Sequence, residues 1–482
     1  MSELQEQAGP SARRFDDAPT GAIWRPTAEF VIVLVLSILI FRTFAAEAYV
    51  VPTGSMAPTL LGLHRDVGCP NCRIHFAVGT DERGRSGRPV CPNCGFDDLP
   101  IGSAVDCGGD RLLVQKFLFD IRPPRRWEVA VFQSPAEPSQ AYVKRVVGLP
   151  GDAIQIRRGD VAINGRVARK SLAEQRGMRV LVHDHDFIPK DSDRFPRWIF
   201  RPAGSDRARP TGWSAQGTRF VRRPTDLDSA GVDWLEYRHW ESDRGRFGPI
   251  LDFSSYNGAD LRGENPVADL MLQSNVRASA DLPALLVRFD RCGDRFVVTI
   301  PVDGQGPPQV RRNGRELDLS GASGGLASGV PSRVEASVVD CRLLVAIDGR
   351  LLFDPIDFDD PADGPSRSSS PIGLGVPGGS VDVGSLKIFR DVYYTSSLAN
   401  TPKRPFGVDA PYQLGADEYF VLGDNSAVSN DSRFWDGSPV VRGTLLLGKP
   451  FLVHLPGQVV PLEVFGRSVY WIPDPWEIRY IR

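Results

Sequence analysis

Ser55 lies in the stretch Val50 to Leu60, VVPTGSMAPTL, where Pro52, Gly54 and Pro58 prevent a continuing helix and hold the serine on a constrained loop. A serine between glycine and methionine is by itself an ordinary turn residue. Lys144 changes that reading. It sits in Tyr142 to Asp152, YVKRVVGLPGD, within an apolar, strand-like run of Val143, Val146 and Val147 that ends at a Gly-Leu-Pro-Gly turn. A lysine on a strand is normally a solvated charge. A buried one loses its proton more readily, because desolvation disfavours the ammonium form, and then serves as a general base near neutral pH. Serine with lysine is a recognised alternative to the Ser–His–Asp arrangement. The chain has only 6 His, and none lies in a segment with the look of a triad partner. A third stretch, Gly423 to Gly437 (GDNSAVSNDSRFWDG), follows the apolar run Tyr419 to Leu422 and is dense in small polar and turn residues.

Four of the 7 Cys form a second constellation, Cys69-Pro70-Asn71-Cys72 and Cys91-Pro92-Asn93-Cys94. Each pair makes a tight knuckle that can present two thiolates to one metal, and the gap between the pairs suits a four-cysteine zinc ribbon. Two disulfides are the competing reading in an oxidising compartment. Cys107, Cys292 and Cys341 have no such spacing and are expected as small buried residues. His183-Asp184-His185-Asp186 has metal-capable side chains but supplies too few ligands from one short strand.

The ordered blocks resemble the type I signal peptidase family, membrane-bound serine proteases that remove signal peptides. The blocks are Ser55 to Leu60, Gly109 to Lys116 with Trp127 to Phe132, Tyr142 to Asp152, and Gly423 through Arg433. The resemblance implies Ser55 as nucleophile, Lys144 as general base and Ser429 as the serine that hydrogen-bonds and orients that lysine. It also implies an oxyanion site made by the Ser55 N–H and the Thr53 hydroxyl, with Arg145, Asp431 and Arg433 bracing the loop beneath. No cofactor is expected for catalysis. The chain departs from the family in carrying Ser426-Ala427-Val428 between Asn425 and Ser429, and Trp127-Glu128 where Gly-Asp is usual.

The elements that must position these residues are expected to be mainly β. At roughly 150 residues per domain, 482 residues allow about three folded units, and 48 Gly with 40 Pro favour turns and short strands. A formal charge of −2 excludes a net basic field for nucleic acid. The apolar run Phe30 to Phe41, continued to Ala46, predicts a transmembrane anchor over 28–46 behind a cytoplasmic tail at 1–27, with Arg13, Arg14 and Arg25 favouring that orientation. A discontinuous peptidase domain is expected over 47–62, 108–170 and 406–482. A zinc-ribbon-like insertion interrupts it at 63–107, and an insertion containing an antiparallel β-sandwich interrupts it at 171–405. Runs such as Leu285 to Phe289, Phe296 to Ile300, Leu343 to Ile347 and Leu386 to Phe389 look like a concanavalin-type or laminin-G-type jelly roll.

The expected protein is thus a single-pass enzyme of the cell (inner) membrane with an extracytoplasmic catalytic domain. Its expected partners are the lipid bilayer and preproteins bearing signal peptides, without nucleic acid. The sandwich could take carbohydrate, lipid or protein, and its Trp198, Trp213, Trp234 and Trp240 are either ligand platforms or inter-sheet packing. Two alternatives stand beside the peptidase: an inactive envelope-binding scaffold that uses the sandwich, and an autoproteolytic repressor of the related Ser–Lys clan.

Overall fold

The computed structural model describes residues 24–40, 46–81, 83–202, 211–225, 231–242, 244–258, 261, 263–359, 368–397, 405–457, 459–464 and 467–481. The chain divides into two compact units, one ending at Glu47 and the other beginning at Ala48. The first contains a 17-residue helix, Trp24–Ile40. Phe30, Val31, Ile32, Val33, Leu34, Val35 and Leu36 are all exposed on it, so no face of this stretch is packed away. At about 1.5 Å per residue the helix reaches ~26 Å, short of a ~30 Å hydrocarbon core. Among the described residues no helix is long and apolar enough to cross a membrane. The anchor expected over 28–46 therefore corrects to a shorter helix that starts earlier. Residues 41–45 and the tail at 1–23 lie outside the described residues.

The second unit is mainly β. Its first sheet has eight antiparallel strands drawn from both ends of the chain, and the central strand Leu446–Leu455 pairs with Arg111–Gln115 on one side and Val129–Gln133 on the other. Beyond them come Ala141–Gly148 and Glu418–Leu422. Register places Lys144 opposite Ala130, and Arg145 between Val129 and Leu422. Every residue from Lys144 to Gly148 is buried, which explains how a lysine can lie in an otherwise apolar run. Trp127, just before Val129–Gln133, adopts φ 70°, a conformation that favours glycine. Its ring is buried against Val147 and Ile154 and lies 4.3 Å beneath the Lys170 ammonium, which is what a side chain gains at this turn.

Strands His64–Gly68, His75–Gly79 and Val105–Cys107 form a three-stranded ribbon. Both cysteine knuckles close by main-chain bonds, Arg73 N–H to Cys69 C=O at 2.7 Å and Gly95 N–H to Cys91 C=O at 2.9 Å. Between Val180 and Arg390, two antiparallel sheets of nine and seven strands, the larger including Arg219–Arg222, stack on a shared core. All four runs singled out in the sequence fall in these strands, Ala284–Arg291, Asp294–Pro301, Arg342–Ile347 and Val381–Arg390. Asp348 and Gly349, both at positive φ, make the tight turn that follows Arg342–Ile347. Trp198 and Trp213 are buried in the core between the sheets, and Trp240 stacks on Phe195. Packing accounts for Trp198 and Trp213, whereas Trp240 also faces a cavity of this unit.

Candidate active site

Ser55 stands in the 3-10 turn Gly54–Met56, entered from an extended Thr53. Met56 and Leu60 drive into a core with Val51, Leu112, Val114 and Val129, so apolar burial on either side fixes a polar turn. Opposite it, the Lys144 ammonium lies 2.6 Å from Ser55 Oγ. Burial of Lys144 lowers its pKa to about 8, against the opposing pull of Asp431 and Asp424 and with help from Arg433. Ser55 itself is half-buried and Thr53 exposed, so the hydroxyl is reachable from solvent while its base is not.

The loop after Glu418–Leu422 braces this pair from beneath. Arg145 grips the Asp424 carboxylate with two bonds of 2.8 and 2.6 Å and donates a third, of 2.6 Å, to the Trp127 carbonyl. The Thr59 hydroxyl donates to Asp424, tying the nucleophile segment to the same carboxylate. Asp431 and Arg433 form a fully buried pair at 2.8 and 2.9 Å, and Asp431 also accepts the Gly423 N–H. The departure at Ser426 is absorbed here, because its hydroxyl accepts from Arg433 and from the Thr395 N–H. Asn425 reaches the nucleophile turn directly. Its main-chain N–H donates to Ser55 C=O at 3.1 Å, and its side-chain amide donates to Gly54 C=O at 2.9 Å.

Ser429 departs from expectation. Its hydroxyl is buried and makes no hydrogen bond among the described residues, to Lys144 or to any other group. It lies instead where a side chain on Gly423 would fall, a position that would also strike the Ser55 carbonyl. Gly423 is thus required by close approach of the two segments.

Three further positions had no role assigned from sequence, Asp110 among them although it lies in the Gly109 to Lys116 block. Asp110 accepts from the N–H groups of Leu61 and Gly457 and from Arg479, so it clamps the chain just past the nucleophile turn. Tyr256 and Asn257 arrive from a loop of the long insertion, with no spacing signal linking them to Ser55. A cavity of about 410 Å³ opens beside the turn, walled by Pro58, Leu61, Phe76, Arg197 and Tyr256; neither Ser55 nor Lys144 borders it.

The sulfurs of Cys69, Cys72, Cys91 and Cys94 lie within 4.8 Å of one another, with 3.6 Å between Cys69 and Cys94 and between Cys72 and Cys91. Four ligands at ~2.3 Å in a tetrahedron stand ~3.8 Å apart, so the set fits one zinc ion. All four are free thiols, not disulfides. The knuckle asparagines hold the neighbouring chain. Asn93 takes the Asp184 N–H at 2.8 Å and donates to Phe187 C=O, while Asn71 accepts from the Lys190 N–H and donates to Asp191. His183 and His185 are packed among aromatic rings, with Tyr237 5.4 Å from His183 and Phe220 4.4 Å from His185, and Asp184 binds Lys387. That segment is structural.

A family profile described as "Signal peptidase, peptidase S26" matches residues 107–198 and 374–455. A signal peptidase I of Pseudomonas aeruginosa is 32% identical over 142 residues, covering 29% of this chain and 38% of that protein. One from Pseudomonas fluorescens is 31% identical over 140 residues, 29% of this chain and 37% of that protein. The chain spans half or less of the length of these curated relatives. Among solved structures, a carbohydrate-binding module CBM66 from Bacillus subtilis covers 40% of this chain and 94% of its own at 10% identity, with a TM-score of 0.26.

Proposed function

We propose that this chain, similar to signal peptidases over residues 107–198 and 374–455, is a serine endopeptidase of the type I signal peptidase family that removes signal peptides from exported preproteins. The observation that carries the reading is the 2.6 Å contact between the Ser55 hydroxyl and a buried Lys144 amine with a pKa of about 8. Neutral Lys144 takes the Ser55 proton as the serine oxygen attacks the scissile carbonyl carbon. The resulting ammonium returns that proton to the leaving amine as the peptide bond breaks. Water, deprotonated by the same amine, then releases the acyl group from Ser55. The Ser55 N–H and the exposed Thr53 hydroxyl would receive the developing oxyanion. Arg145, Asp431 and Arg433 keep the platform rigid. An inactive scaffold has no physical use for a desolvated lysine against a hydroxyl, so that alternative is not favoured.

The helix Trp24–Ile40, apolar and unburied from Phe30 to Leu36, supports attachment to a membrane. The substrate's own apolar segment would then share the bilayer, with catalysis on the extracytoplasmic side. Cys69, Cys72, Cys91 and Cys94 would hold a structural zinc that takes no part in the chemistry. The test is cleavage of a labelled preprotein by the detergent-purified full chain, with Ser55→Ala and Lys144→Ala beside it. Processing at the signal-peptide junction, lost in both variants, is the expected result. A folded wild-type chain that leaves several preproteins intact would overturn the reading.

A further inference from the structure

The turn that carries Ser55 is held by the long insertion as well as by the peptidase segments around it. The 3-10 turn Ser255–Asn257 projects two side chains onto the nucleophile loop. The Tyr256 ring lies where side chains on Gly54 or Gly79 would otherwise stand, so a methyl group at either glycine would overlap it. Its hydroxyl donates to the Leu63 carbonyl at 3.0 Å. Tyr256 is thereby wedged between the nucleophile turn and the end of the ribbon strand His75–Gly79.

Asn257 acts one residue further on. Its amide pairs reciprocally with that of Asn425, each NH2 donating to the other's carbonyl oxygen at 2.7 Å. The second N–H of the Asn425 amide goes to Gly54 C=O. Both Asn425 amide hydrogens are thus used, and the orientation of that amide is settled by Asn257. Turned over, it would present an oxygen to the Gly54 carbonyl, acceptor against acceptor, and the turn would lose its anchor.

We propose that Asn257 is a positioning residue for catalysis, acting through Asn425 to hold the Ser55 turn in register with Lys144, and that the insertion is therefore an integral part of the active site. The inference rests on the peptidase reading above. Geometry explains why so indirect a contact matters: a displacement of about 1 Å in a reacting group can cost ~100-fold in rate.

The experiment uses the full-length detergent-purified chain and a labelled preprotein, comparing wild type, Ser55→Ala, Asn257→Ala and Asn257→Asp. For Asn257→Ala, kcat falls about 10- to 100-fold while KM stays within about threefold. The fraction of molecules whose serine is labelled by an acylating serine reagent reaches the wild-type end point, but more slowly. Asn257→Asp keeps the acceptor that faces the Asn425 NH2 but sets its second oxygen against the Asn425 carbonyl oxygen, so it recovers only part of the rate, and it is also the variant to follow should Asn257→Ala fail to fold. A purely structural role would lower the labelled fraction and the melting temperature together and leave kcat per labelled site unchanged, and that result overturns the inference. So does a kcat within twofold of wild type in Asn257→Ala. If the folded wild-type chain cleaves nothing, the peptidase reading falls and this inference with it. If wild type cleaves and Ser55→Ala does not, the fate of Asn257 is decided on its own.

Discussion

Lys144 is the residue whose physics is most exposed to test. Its pKa of about 8 results from desolvation, opposed by Asp431 and Asp424 and assisted by Arg433. Below that value the amine is protonated and cannot accept the Ser55 proton, so kcat/KM should rise about tenfold per pH unit up to pH 8 and level off above it. The sign follows from a base that must be neutral, and a profile flat from pH 6 to 9 would count against Lys144 in that role. The same steric logic singles out Gly54. Its Ala variant drives a methyl group into the Tyr256 ring and should cut activity at least ~100-fold while the sandwich stays folded, read by circular dichroism beside the cleavage assay. Ser55 and Lys144 were legible in the sequence because each sits in a local pattern that breaks its own rule, a serine between helix-breakers and a lysine in an apolar strand. Asn257 was not, since its partner Asn425 lies 168 residues away and nothing in the loop around it departs from ordinary turn composition. Ser429 shows the opposite limit: the block match foretold a bond to Lys144 that the buried hydroxyl does not make.

Individual elements carry their own consequences. The two cysteine knuckles were legible because ligand spacing is a local property, whereas the use of Asn71 and Asn93 as struts to 184–191 depends on tertiary packing that spacing cannot encode. The ribbon strand His75–Gly79 ends against Tyr256, which in turn bears on Gly54. Loss of a zinc held by the four cysteines would therefore reach the active site by loosening that wedge. Metal analysis is expected to find about one zinc per chain, and Cys72→Ser should lose it together with most of the cleavage activity. Full activity in a zinc-free preparation would refute that link. The turn at Trp127 offers a second case. Trp127→Gly would relieve the positive φ, worth about 1 kcal/mol, but forfeit a buried indole, worth about 3–5 kcal/mol. The net expectation is a loss of about 2–4 kcal/mol, measurable as a lower denaturant midpoint, and a stabilised variant would contradict it.

At the scale of the whole molecule, the question is what makes the peptidase segments and the sandwich one body. The chain passes from one to the other near Lys170 and returns near Asp391, and these two residues are bonded at 2.8 Å. Lys170 also grips Asp340 through both carboxylate oxygens, at 2.9 and 3.0 Å, while its ammonium rests on Trp127. Asp269 and Asp160 complete a buried acidic group, with Arg291 2.8 Å from Asp269 and 4.0 Å from Asp160. The carboxylates of Asp160, Asp269 and Asp340 are close enough to suggest a cation site, but Lys170 and Arg291 already supply the charge. Burial holds Asp340 up at about 7, and burial likewise raises Asp391 and Asp160 above the ordinary carboxylate range. With folded pKa values above unfolded ones, the folded state binds more protons between pH ~4 and ~7, so these groups contribute progressively less stability as pH rises through that window. The raised pKa of Lys170 has the same sign of pH dependence but a higher window: its stabilising contribution is fully present below the ordinary lysine value and is lost only as pH rises above it. Lys170→Met would leave Asp340 and Asp391 without their shared cation, pushing both further up and extending the unfavourable window toward pH 8. The variant should therefore fall short of wild type by about 3–5 kcal/mol near pH 8 and by clearly less near pH 5, where the carboxylates can protonate. Denaturant unfolding at the two pH values checks this, and a deficit equal at both would mean that Lys170 acts through packing on Trp127 and not through charge.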